Sequence, residues 1–429
     1  MKYNLTLQQF KQAMLRGQGR CILAAKANPQ KYRKIVMWAC KHEYSYDTQS
    51  EGTRAYTTYS LINCYEDKMP FIEALIETFN SKLVFRGWKM QYLAETLAYF
   101  ALDGYEAADV ALWHKYDALY DDLLLRKRRP KGYFYSRDDF ETVALSLLTD
   151  EAAAEWIATD LGRLYLQRNF VDRSDFEWLI IVMVERYGKY LRKIARKDKE
   201  VAKIVALYAE SKAETASWRK QWATRTAEDK RARLMSDVNA YLATTDAEDK
   251  ISTLRPFTFR PYPCDPSPII ADAESDDADL RLVAYHALGE IRHPAVREFA
   301  LQHVQDNIEE VFEAFACNYE PTDAELLESI VKSVPVNTRW WRDGIWHGVF
   351  MDVLAINHQG CKPPISVLQY IYENNYCSGC RLTALRQLVK RHAATDDMLN
   401  ECLYDCSDET RDYASRLLCR RNKTNGVSN

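Results

Sequence analysis

With 429 residues, 47% apolar and 28% charged, the chain has material for two or three globular domains or one extended repeat array, and its 14 Gly and 13 Pro are few enough to point to helices closed by polar caps. The first ten residues alternate polar and apolar side chains, and no apolar run is long enough to span a bilayer, so neither a secretory signal nor a membrane partner is expected. Eleven cysteines, an odd number without an export signal, read as reduced thiols or metal ligands rather than a complete disulfide framework, and the expected location is cytoplasmic.

Near the N-terminus, Tyr44-Ser-Tyr-Asp-Thr-Gln-Ser-Glu-Gly-Thr-Arg54 is a dense polar cluster between a helix ending near His42 and one beginning near Glu51. Asp47, Gln49, Glu51 and Arg54 offer acceptors, an amide and a guanidinium, a set that can recognise a polar group. The plainer reading is that Asp47 or Ser50 caps a helix and Arg54 pairs with an acid of a neighbouring repeat. Ile72, Leu75, Ile76 and Phe79, then Met90, Leu93, Leu97 and Ala101, form apolar faces at helical spacing. The run Arg126-Lys-Arg-Arg-Pro-Lys-Gly132 reads as a loop between helical layers, because cations end a helix favourably and Pro130 and Gly132 stop it.

A net charge of −3 conceals a marked asymmetry. Residues Arg186 to Arg233 carry fifteen Lys or Arg against six Asp or Glu, whereas Ala271 to Ile330 carry three against fifteen. Arg192, Arg196, Lys199 and Lys203, at steps of four, three and four, would form a cationic stripe on one helical face, a candidate phosphate-binding surface or simply a solvated one. Lys189 to Arg255 contains neither Gly nor Pro and reads as three long helices, with new ones starting near Thr226 and Thr245. The proline-rich run Pro256 to Pro268 reads as an extended interdomain linker.

Beyond it a local pattern returns. Arg281-x-x-Ala284-x-x-x-Leu288, Arg381-x-x-Ala384-x-x-x-Leu388 and Arg411-x-x-Ala414-x-x-x-Leu418 share one spacing, and Arg54-x-x-Thr57-x-x-x-Leu61 echoes it. In each copy the small residue and the leucine fall on one helical face while the Arg stays at the rim. The stretch from Asp276 to Ala300, with acids before Arg281, Leu288-Gly289 closing one helix and Pro294 opening the next, resembles a HEAT repeat. The resemblance implies an all-α solenoid of antiparallel helix pairs, Asp and Arg side chains bridging adjacent repeats, and a concave face that holds a protein or peptide. It also implies a DNA-binding alternative, since alkylpurine glycosylases use such a fold.

The expected organisation is an N-terminal helical region (1–130), a basic long-helix middle (131–255), the linker (256–268), C-terminal HEAT-like repeats (269–421) and a disordered tail (422–429). Cys377, Cys380, Cys402 and Cys406 would meet at one end of a helical hairpin, either as a structural zinc clamp or as buried thiols, with no histidine at that end. Trp340, Trp341 and Trp346 form the tightest aromatic group, whether core or interface anchor. Walker, dinucleotide-fingerprint, nucleophile-elbow and His-Glu-x-x-His signatures are missing, and His286, His293 and His303 read as packed or solvated. The expectation is a non-enzymatic scaffold for a protein or peptide without a cofactor, with nucleic acid and structural zinc as the alternatives.

Overall fold

The computed structural model describes residues 3–81, 88–125, 133–168, 171–172, 174–223, 227–336, 344–358 and 360–426. Among them the only pairing of extended backbone is an isolated bridge between His358 and Cys361, and the architecture is all-α. No described helix is long and apolar enough to cross a membrane. The chain forms two compact units, Met1–Ala223 with Asn400–Arg416 and Thr224–Leu399 with Leu417–Asn429.

Unit 1 begins with α1 (Leu7–Leu15), α2 (Arg20–Ala27), α3 (Pro29–Ala39), the single turn α4 (Thr48–Glu51), α5 (Ala55–Ile62) and α6 (Met69–Asn80). It continues with α7 (Trp88–Leu102), α8 (Glu106–Leu125), α9 (Tyr133–Leu147), α10 (Glu151–Gln167), α11 (Glu177–Ile194) and α12 (Lys199–Ala223). Its core runs from Phe10 to Leu207 and takes in the expected apolar positions Ile72, Leu75, Phe79, Met90, Leu93 and Leu97, all essentially inaccessible. Each large apolar side chain so buried contributes about 1.5–3 kcal/mol.

Unit 2 holds α13 (Ala227–Ala243), α14 (Ala247–Leu254), α15 (Ser267–Ala273), α16 (Ala278–Gly289), α17 (Pro294–His303) and α18 (Ile308–Cys317). It continues with α19 (Ala324–Ser333), α20 (Ile345–Ala355), α21 (Ile365–Asn374) and α22 (Ser378–Lys390); α23 (Asp396–Cys402) and α24 (Asp408–Gly426) follow. In both units the densest packing joins helices one, two or three apart in chain order, such as α10 on α12 and α16 on α18.

The three C-terminal copies of the arginine pattern share one local device. Ala284, Ala384 and Ala414 are fully buried, as their small size suits a close approach. Arg281, Arg381 and Arg411 are each the fourth residue of a helix, and their guanidinium groups reach back to the loop before it. Arg281 Nη1 donates to Ser275 O (2.6 Å), Arg381 Nη1 to Asn375 O (3.3 Å) and Tyr376 O (3.2 Å), and Arg411 Nη1 to Asp405 O (2.7 Å) and Cys406 O (2.9 Å). The loop is braced a second time: side chains of Ser275, Asn375 and Asp405 accept from the backbone N–H of Asp277, Cys377 and Ser407. Asp277, Cys377 and Ser407 in turn cap the helices through Leu280, Cys380 and Thr410 N–H. The arginines therefore pin their own loops, and Arg381 is 1% exposed rather than at a rim.

Arg54 is not a fourth copy. It precedes α5 as the N-cap residue and lies buried beside Glu51, 2.9 Å away, so its spacing matches but its place in the helix does not.

Several expected boundaries move. Residues 256–268 lie inside unit 2: Phe257 is fully buried, Tyr262 is 4% exposed, and their rings meet edge to face at 5.0 Å. Aromatic burial there outweighs the extended preference of the prolines, and a 3₁₀ turn, Arg255–Thr258, replaces the start of a linker. The tail expected from residue 422 is helical to Gly426, and 427–429 lie outside the described residues, as does the loop expected at 126–132. Residues 400–416 belong to unit 1 rather than to the C-terminal repeats. Arg20 pairs with Glu401 at 2.7 Å, Gly17 O accepts from Cys406 N–H at 2.9 Å, and Arg411 lies 3.7 Å over the Tyr56 ring.

Gly19 makes this return possible, because a Cβ there would lie 2.0 Å from Glu401 O.

Candidate functional site

A concavity of about 670 Å³ in unit 1 is built by three helices and one loop. α7 presents Trp88, Gln91 and Glu95 at spacings of three and four, so they share the face opposite buried Met90, Leu93 and Leu97. α9 presents Asp138, Glu141, Thr142 and Leu145 on a second face. Trp178 stands in the first turn of α11, and Thr48 and Gly52 come from the loop around α4. Trp88 is 47% exposed and Trp178 63% exposed, so both indoles are open to a ligand.

Polar contacts hold this lining in place. Gln91 Nε2 donates to Glu95 Oε1 at 2.7 Å, and the Thr53 hydroxyl donates to the other oxygen of Glu95. Glu141 Oε1 accepts the Leu179 N–H at 2.9 Å, at the positive start of α11. Burial nonetheless dominates at Glu141 and holds its carboxyl above the ordinary range, with the Leu179 N–H and Arg137 pulling the other way. Asp138 pairs with Arg137 at 2.6 Å, and the same guanidinium reaches Asp175 at 3.2 Å. The described lining thus contains Glu95, Asp138 and Glu141 and no lysine or arginine. Two exposed indoles and three carboxylates around one hollow form a surface suited to a cation, whose charge meets the acids and whose face meets the rings.

Of the residues singled out in the sequence, the 44–54 cluster supplies part of the cleft's wall but not through its charged members. Arg54 and Glu51 are buried against one another, Asp47 is half-buried, and its carbonyl accepts from Glu51 N–H at 2.9 Å. The side chain of Gln49 lies outside the described residues. Tyr44, Thr58 and Tyr92 form a buried hydroxyl chain ending on Ala39 O, with steps of 2.8, 2.7 and 2.6 Å.

The cationic stripe does not form on one helix. α11 ends at Ile194, a turn carries Arg196, and α12 begins at Lys199, so Arg192, Arg196, Lys199 and Lys203 follow no single helical face. Asp198 is the cause: its Oδ1 accepts Val201 N–H at 2.9 Å and starts a new helix in mid-run. Trp346 is fully buried against Phe350 and Tyr376, a core residue rather than an interface anchor, while Trp340 and Trp341 lie outside the described residues.

The four thiols are divided between the units. Cys402 and Cys406 go with unit 1, and Cys377 and Cys380 with unit 2. Gly17 and Gly19 leave room for 400–416 to pack within unit 1, because a Cβ at either position would collide with Cys406 or with Glu401 O.

Sequence reasoning passed over Trp88, Glu95, Asp138, Glu141 and Trp178. The signal was present as polar and aromatic residues at helical spacing, but a cleft-lining face and a plain solvent face have the same pattern. No family model, curated protein or solved structure matches the chain. Fold and site geometry therefore stand alone as guides to what this all-α protein does.

Proposed function

We propose that the protein is a HEAT-like helical scaffold whose unit 1 recognises a basic peptide segment of a partner protein. The cleft between α7, α9 and α11, with Trp88 and Trp178 exposed beside Glu95, Asp138 and Glu141, is the observation that carries this reading. A lysine or arginine entering it leaves water for two indole faces and paired carboxylates, interactions worth about 0.5–2 kcal/mol each. Packing between helices near in chain order supports the solenoid part of the proposal, because stacked hairpins touch mainly their neighbours.

The test is a titration of the full chain with a lysine- and arginine-rich peptide, followed by tryptophan fluorescence and by calorimetry. Binding is expected to weaken as salt rises. Trp178→Ala and Glu141→Gln are each expected to weaken it about 5–30-fold, or about 1–2 kcal/mol. An acidic peptide of equal length should not bind. Equal affinity for both peptides, or insensitivity to both substitutions, overturns the reading.

A further inference from the structure

Unit 2 contains a group of side chains with the character of a metal site. His347 on α20 and Cys377 and Cys380 at the start of α22 bring their ligand atoms to within 4.8 Å of one another. A histidine thus stands at the end of the helix where the sequence suggested only thiols. We propose that these three residues bind a zinc ion, with a water molecule as fourth ligand.

Three independent features of the geometry lead there. The first is a distance. His347 Nε2 lies 3.5 Å from Cys380 Sγ. In a tetrahedral zinc site, Zn–S of about 2.3 Å and Zn–N of about 2.0 Å put the two ligand atoms roughly 3.6 Å apart. The atoms already sit near the edge length of the polyhedron a zinc ion would impose.

The second feature is a substitution within the repeated cap. In the sister loops the N-cap position is held by Asp277 and Ser407, oxygen acceptors suited to it. In α22 the position is Cys377, whose Sγ accepts Cys380 N–H at 3.4 Å. A neutral thiol is a weak acceptor, whereas a metal-bound thiolate carries the charge that such a backbone donor and a helix N-terminus favour. The sulfur makes physical sense as a cap when it is also a ligand.

The third is the rigidity of the support. Asn375 Oδ1 accepts Cys377 N–H at 2.8 Å, and the Arg381 guanidinium, 1% exposed, holds the carbonyls of Asn375 and Tyr376. On the other side Trp346, fully buried, fixes the helix that carries His347 and packs on Tyr376. Both ligand-bearing segments are therefore held in place by the fold. Two thiolates and a neutral imidazole suit zinc, and three protein ligands leave one tetrahedral position to water.

The experiment is a cobalt and zinc titration of the full reduced chain. Wild type is expected to take up about one equivalent of Zn²⁺. Its Co²⁺ form should show thiolate-to-metal charge transfer and the intense visible bands of tetrahedral coordination. Cys380→Ser should abolish the charge-transfer signal or cut it by about half, and His347→Gln should weaken Zn²⁺ at least about 10-fold in competition with a chromophoric chelator. Circular dichroism checks that each variant is folded, and the wild-type spectrum is read independently of any variant. A folded, reduced wild-type chain that takes up no zinc overturns the proposal. So does zinc binding that survives the combined His347→Gln and Cys380→Ser change, or a Cys377–Cys380 pair that cycles to a disulfide while showing no cobalt spectrum when reduced.

Discussion

At the scale of single residues, the buried arginines matter most. A guanidinium is costly to bury without hydrogen bonds, and in Arg381 it is Nη1 that donates to two carbonyls of the loop before its own helix. Arg381→Met keeps much of the volume and removes the donors, so Asn375 O and Tyr376 O lose their partner. We expect a loss of about 2–4 kcal/mol in urea unfolding, against about 1 kcal/mol for Arg281→Met, where the side chain is only half-buried. Equal effects would show that the pinning contacts are incidental. A second residue sets a pH response. Burial, and then the Glu313 charge, push the Asp352 carboxyl up to about 7. The unfolded chain would ionise it near 4, so the charged form is disfavoured in the fold. Its contribution to unit 2 is fully present below about pH 4 and is lost as pH rises through about 7. Asp352→Asn should therefore add about 1–2 kcal/mol at pH 8 and little at pH 4, as read by thermal melting. A gain of equal size at both pH values would contradict this.

At the scale of elements, glycines set how closely helices approach. Gly162 on α10 faces the start of α12, and a Cβ there would lie 2.1 Å from Glu200 O. Helix propensity alone says that Gly162→Ala stabilises by about 1 kcal/mol; overpacking against a backbone carbonyl says it destabilises by about 1–3 kcal/mol. Overpacking should win, because the carbonyl belongs to a helix that cannot shift alone. Gly188→Ala is the control: its Cβ would meet only the Arg192 side chain, at 3.2 Å or beyond, which can swing aside. Thermal melts of the two variants are expected to move in opposite directions, and a common direction would count against close α10–α12 packing as the cause. The same scale explains where reading the sequence succeeded. Pro294 opens a helix as expected, and Asp246 caps α14 one residue after the expected Thr245. The missed break at Asp198 used equally local chemistry, hidden inside a run of charges that looked continuous.

At the scale of the whole molecule, composition and periodicity determined that the chain is all-α, which faces of α6 and α7 are buried, and that Ala284, Ala384 and Ala414 face inward. These follow from local propensity and from the 3.6-residue repeat, both of which act between near neighbours in the chain. Only the tertiary structure decided that residues 400–416 return to unit 1, that the proline-rich run is packed into unit 2, and that His347 stands beside Cys377 and Cys380. It also placed Trp88 and Trp178 around one acidic cleft. Each of those outcomes depends on which distant surfaces fit together, at Gly19 against Glu401 or an indole against a facing helix. Shape fit between remote segments leaves no period or spacing in the sequence to be read.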